Sequence, residues 1–181
     1  SLDTLYFMPC QQHPFHKHPG ASPAQRADML TLAVADEARL DIDTRELRRD
    51  GISYTVDSLQ EIRNEHGDDT VIVFILGTDA FASLHQWQRW QSLLSLANVA
   101  VIERAGQITT AQINEPELKA LLAQSVTAVN ATHGELIQLV LEPYHISSTV
   151  LRSTLGSIHR ADNKIDEAQL KVINEFIPAS V

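Results

Sequence analysis

Cysteine is nearly missing from this chain. Cys10 stands alone in 181 residues, so no disulfide can close within it, and a reducing, cytoplasmic setting is expected. Positive charge is scarce as well: 14 lysines and arginines face 23 aspartates and glutamates, for a formal charge of -9. A field of that sign repels nucleic acid and anionic membrane, so neither is expected as a partner. A local phosphate site survives that exclusion, because helix amides and a few cations are enough to build one. The longest apolar run, Val71 to Leu76, is far shorter than the roughly 20 residues that span a bilayer. Repeats, low-complexity tracts and linkers are also lacking, so 1–181 is expected to form a single domain.

What is present alternates. Leu5 to Met8 is an apolar run stopped by Pro9 and predicts a buried strand. Ser22-Pro23 predicts an N-cap with proline in the first helical turn, followed by a helix with Met29, Leu30, Leu32, Ala33 and Val34 on its apolar side. A short strand is expected around Leu40 and Ile42, and a helix opening at Tyr54-Thr55 with its exit in "NEHGDD". Val71 to Leu76 reads as a strand of a parallel sheet, "LHQWQRWQSLLSLA" as a helix, and Val99 to Ile102 as the next strand. Glu115 to Gln124 should be helical and Leu136 to Leu141 a strand, with further helices from Ser148 and over 165–177. Strands alternating with helices predict an α/β fold with a doubly wound parallel sheet. Ligands of such sheets bind outside the carboxyl ends of the strands, which selects the loops 9–20, 77–79, 103–106 and 142–149.

Those loops carry the chemistry. In "HISSTVLR", Ser147, Ser148 and Thr149 sit where a helix should start, and Arg152 follows one turn later. Unsatisfied amides, hydroxyls and a guanidinium fork together suit phosphate oxygens; the plain alternative is a capped helix with a surface arginine. A serine nucleophile served by His145 lacks both a Gly-x-Ser-x-Gly turn and a group to orient the histidine. His13, His16 and His18 invite zinc, but no cysteine or paired acid stands at a supporting spacing, so no protein-bound metal is expected. Lys17 with a neighbouring histidine better suits the charge that builds up on a leaving polyphosphate. Gly77-Thr78-Asp79 suits close backbone approach with a carboxylate for a ribose hydroxyl. Trp87 and Trp90 read first as core packing, and "SYT", Ser53 to Thr55, taken alone, as a helix cap.

In sequence order, "PFHK", "ISYT", "FILGTD", Trp87, "ERAG" and "ISSTVLR" resemble bacterial nicotinate-nucleotide adenylyltransferases, members of the nucleotidyltransferase α/β superfamily with a Rossmann-like fold. The resemblance implies transfer of AMP from ATP to nicotinate mononucleotide, giving pyrophosphate and nicotinate adenine dinucleotide, with magnesium arriving with the ATP. It implies that Ile146, Ser147, Ser148, Thr149 and Arg152 hold ATP, that His16 and Lys17 face its phosphates, and that Gly77 and Asp79 contact the nucleotide. Tyr54, Thr55, Trp87 and Arg104 match positions beside the mononucleotide, where Trp87 stacks on the pyridine ring. His16, Lys17 and Arg152 are the residues expected to act in catalysis. Homo-oligomerisation is left open.

Two departures qualify the match. The family's first strand carries Gly-Gly-x-Phe-x-Pro-x-His-x-Gly-His, whose histidines bind the triphosphate, and that signature is absent from this sequence. The chain opens roughly where the second strand should stand; poor catalysis and poor folding are the expectation only if the protein truly lacks that first strand. Pro9-Cys10 also replaces the usual Pro-Asn, and "QQHPFHK" is longer than the usual loop. The alternatives are a phosphopantetheine or other nucleotidyltransferase of the same fold, against which "SYT", "GTD" and Trp87 argue, and a non-catalytic nucleotide-binding module.

Overall fold

The computed structural model describes residues 3–12, 20–103 and 109–140. All of them lie in the compact unit Ser1–Leu141. The segments expected to be helical from Ser148 and over 165–177 lie outside the described residues.

Every pairing among the described strands is parallel, as alternation with helices requires. The described strands form two sheets. Strand β1 (Leu5–Phe7) pairs with β2 (Leu40–Ile42), while β3 (Val73–Gly77), β4 (Asn98–Glu103) and β5 (Leu136–Val140) follow one another in the second sheet. β4 is the central strand of the three, and Asn98, Val99, Ala100 and Val101 are all buried. Asn98 is tolerated there because both ends of its amide are used. Its Nδ2 donates to the Ala131 carbonyl (2.8 Å), and its Oδ1 accepts from the Glu135 amide (2.9 Å). Phe81, Leu84, Leu93, Leu118 and Leu136 pack around this strand with Val56 and Leu59.

Helix α1 (Pro23–Val34) starts as expected. Ser22 accepts from the Gln25 amide (3.2 Å), the Gln25 side chain accepts from the Ser22 amide (2.8 Å), and proline occupies the first turn. Its expected apolar side is not buried: Met29 is 55% and Leu32 79% exposed, and no residue of the helix is buried. Residues 29–34 are nearly contiguous rather than three or four apart, so they wrap round the helix and cannot share one face. β1 departs in the same way. It is a strand but not a buried one: among the described residues it pairs only with β2, and Tyr6 is 53% exposed.

Helix α2 (Thr55–His66) ends at Gly67, whose φ of 79° with ψ of 172° is a backbone conformation that glycine adopts without strain. α4 (Pro116–Ala123) packs against β5. The expected helix over "LHQWQRWQSLLSLA" is instead two short 3-10 turns, Leu84–Gln86 and Trp90–Ser95. Arg89 breaks it, standing at φ 49° and ψ 39° between the two.

Candidate active site

In a parallel sheet all carboxyl ends meet one edge, and the register sets them abreast: Gly77 pairs with Ile102, and Ile102 with Leu139. Helix α3 (Thr78–Ala82) begins directly at the end of β3, with Gly77 as its N-cap. Gly77 lies at φ -76°, a conformation open to any residue, so the turn itself does not require glycine. Thr78 is fully buried, and its hydroxyl donates to the Ile102 carbonyl (3.1 Å), fixing the turn to β4. Asp79 follows in the first turn, exposed at this edge.

The far end of α2 lies at the amino ends of the strands, where Arg63 donates to the carbonyls of Thr70, Leu96 and Thr132 just before β3, β4 and β5, so the N-terminus of α2 points toward the carboxyl edge. Tyr54 is the N-cap and its side chain makes no capping bond. "SYT" is therefore not the helix cap that the sequence predicts. Ser53 turns away, its hydroxyl donating to the Glu46 carbonyl (3.5 Å). Beneath this helix start lies a polar anchor. Ser58, 1% exposed, donates to a Glu46 carboxylate oxygen (2.6 Å) and accepts from Arg49 (2.8 Å). Arg49 also pairs with Glu61 (2.8 Å).

Trp87 is half-buried against the core and meets the edge of Phe74, with ring centroids 6.2 Å apart at 65°. Its indole N–H is buried and has no acceptor among the described residues. Two residues on, the Arg89 guanidinium pairs with Asp57 in the first turn of α2, which joins the Trp87 loop to the helix start carrying Tyr54 and Thr55. At the end of β4, one Glu103 carboxylate oxygen accepts from both the hydroxyl (2.6 Å) and the amide (2.7 Å) of Thr110. Those two bonds, the hydroxyl's first, hold the Glu103 carboxyl below the usual range. They also close the base of the loop that leaves β4.

Of the residues expected to bind nucleotide, Gly77, Asp79, Tyr54, Thr55 and Trp87 lie in β3, α3, the start of α2 and the loop after α3. His16, Lys17, Arg104, Ile146, Ser147, Ser148, Thr149 and Arg152 lie outside the described residues. Sequence reasoning passed over Ser58, Asp57 and Arg89, and gave Thr78 and Glu103, which stand inside its motifs, no role of their own. Asp57 looks like ordinary compensation of a helix dipole, and nothing local connects it with an arginine 32 positions away.

Parallel strands, flanking helices and a polar edge at the strands' carboxyl ends define an open α/β fold of the kind that binds ligands at that edge. A profile of the cytidylyltransferase-like family matches residues 1–154. A protein of Cellvibrio japonicus (strain Ueda107), named probable nicotinate-nucleotide adenylyltransferase, is 43% identical over 160 residues, covering 86% of this chain and 74% of its own. One of Chromobacterium violaceum with the same name is 40% identical over 176 residues, 96% of this chain and 82% of its own. Among solved structures, Plasmodium falciparum nicotinic acid mononucleotide adenylyltransferase complexed with NaAD shares the fold, with a TM-score of 0.59 at 15% identity over 96% of this chain and 81% of that one. The chain belongs to the cytidylyltransferase-like family, and within it to the nicotinate-nucleotide adenylyltransferases.

Proposed function

We propose that the chain transfers AMP from ATP to nicotinate mononucleotide, releasing pyrophosphate and forming nicotinate adenine dinucleotide, the deamidated precursor of NAD. The observation that carries this reading is the identity of 43% over 86% of the chain to a protein named for that reaction. ATP is taken up as its magnesium complex. A phosphate oxygen of the mononucleotide attacks the α-phosphorus in line, and the bond from that phosphorus to the bridging oxygen breaks as pyrophosphate departs. No covalent intermediate is required, so the protein's work is positioning and charge stabilisation.

In this reading Ser147, Ser148, Thr149 and Arg152, with Ile146, hold ATP, and His16 and Lys17 meet its phosphates. Gly77 and Asp79 contact the nucleotide. Tyr54, Thr55, Trp87 and Arg104 receive the mononucleotide, and the start of α2 and the Trp87 loop form two sides of its pocket. The work is done in the cytoplasm.

Incubation with magnesium–ATP and each of nicotinate mononucleotide, nicotinamide mononucleotide and phosphopantetheine tests the reading. Pyrophosphate release with the nicotinate compound is expected to exceed release with phosphopantetheine. The opposite order assigns the chain to another branch of the fold.

A further inference from the structure

The turn that carries Trp87 contains an oddity of residue choice. The Trp90 amide donates to the Trp87 carbonyl (3.3 Å), which closes a tight turn over Trp87, Gln88, Arg89 and Trp90. Its third position, Arg89, has φ 49°, and no other non-glycine described residue has a positive φ. Glycine or asparagine fills such a position with little strain, whereas a long side chain there crowds its own backbone. An arginine that bears this strain has a use for its side chain, and the use is visible: the guanidinium reaches Asp57 in the first turn of α2.

Both partners are about half exposed, at 56% for Arg89 and 44% for Asp57. An exposed pair contributes little to global stability. What it can do is fix a distance. It ties together two segments far apart in sequence, the turn bearing Trp87 and the helix start bearing Tyr54 and Thr55. Asp57 is well placed for this, since a carboxylate in a helix's first turn is also held by the dipole.

We propose that Arg89 and Asp57 are positioning residues, a clasp that sets the gap between the Trp87 ring and the start of α2 and so tunes the affinity for the mononucleotide. This rests on the adenylyltransferase reading, in which that gap receives nicotinate mononucleotide. Neither residue touches the reacting atoms. Loss of the clasp widens the pocket without touching the ATP side, and salt weakens it because the pair is exposed.

The informative variant is Arg89→Gly, which relieves the backbone strain while removing the guanidinium. Calorimetric titration of the chain with nicotinate mononucleotide and, separately, with magnesium–ATP is compared for wild type, Arg89→Gly, Asp57→Asn, the double variant and Arg89→Lys. Arg89→Gly is expected to melt at or above the wild-type temperature, yet to bind the mononucleotide roughly two- to fivefold more weakly, with ATP affinity unchanged. The double variant should be no worse than either single one, and Arg89→Lys should recover much of the loss. Wild-type mononucleotide affinity in Arg89→Gly, or additive losses in the double variant, overturns the clasp while leaving the adenylyltransferase reading standing. A wild-type chain that binds ATP but not the mononucleotide removes that reading, and the clasp falls with it.

Discussion

At the scale of single residues, one buried guanidinium gathers the chain at the amino ends of the strands, opposite the candidate site. Arg63 is 5% exposed and has no carboxylate partner among the described residues. It donates instead to the carbonyls of Leu96 (2.7 Å), Gly67 (2.9 Å), Thr70 (2.7 Å) and Thr132 (3.1 Å), joining the end of α2 to the approaches to β3, β4 and β5. Arg63→Met should cost about 3–5 kcal/mol in denaturant unfolding, since several buried acceptors lose a charged donor at once. Arg63→Lys should recover little, because one ammonium cannot reach carbonyls in so many directions. Glu103 gives a pH signature. Its carboxyl is held below the usual 4.5 by the Thr110 bonds, so its contribution is full above that value and is lost as pH falls through the lowered one. The stability gap between wild type and Glu103→Gln should therefore close on acidification below pH 4.5; a gap constant across that range would contradict the account. On the ligand side, Trp87→Ala should weaken mononucleotide binding more than ATP binding, and Arg152→Ala the reverse. Equal losses of both ligands in both variants would count against those roles.

At the scale of elements, the sequence was legible where local chemistry decides and misleading where packing does. Ser22-Pro23 and Gly67 announce the start of α1 and the end of α2 through side-chain capping and a positive φ that suits glycine, both local effects. Ser22→Ala should accordingly destabilise by about 1 kcal/mol. The strands β3, β4 and β5 were legible within a residue or two because β-branched apolar runs have few other uses. The segment from Leu84 to Ser95 was not, since leucines and tryptophans at three- to four-residue spacing look helical. The chain reaches the core there with 3-10 turns, and the left-handed Arg89 that divides them leaves no mark in hydrophobic periodicity. "SYT" misled for a related reason. A serine next to a helix start resembles a cap, but its hydroxyl donates to the Glu46 carbonyl instead.

At the scale of the whole molecule, the parallel α/β architecture followed from alternation alone, and the loops at the carboxyl ends of its strands followed from the architecture. Burial did not follow: β1 and α1 are more exposed than their composition implies, because exposure depends on what covers a face and not on the residues in it. Nor could composition indicate chemistry, for a chain of charge -9 reveals nothing about a local phosphate site. The motif order "SYT", "GTD" and Trp87 did that, and relatives 43% and 40% identical over most of the chain agree with it.

The central claim is that the site accepts the nicotinate dinucleotide, and thermal stabilisation reads it without requiring turnover. A ligand that binds only the folded state raises the melting temperature as its concentration exceeds its dissociation constant. Nicotinate adenine dinucleotide, NAD and dephospho-coenzyme A are to be compared side by side at equal concentration. The account predicts the largest shift with nicotinate adenine dinucleotide. A larger shift with dephospho-coenzyme A, or none with the nicotinate compound, would contradict it.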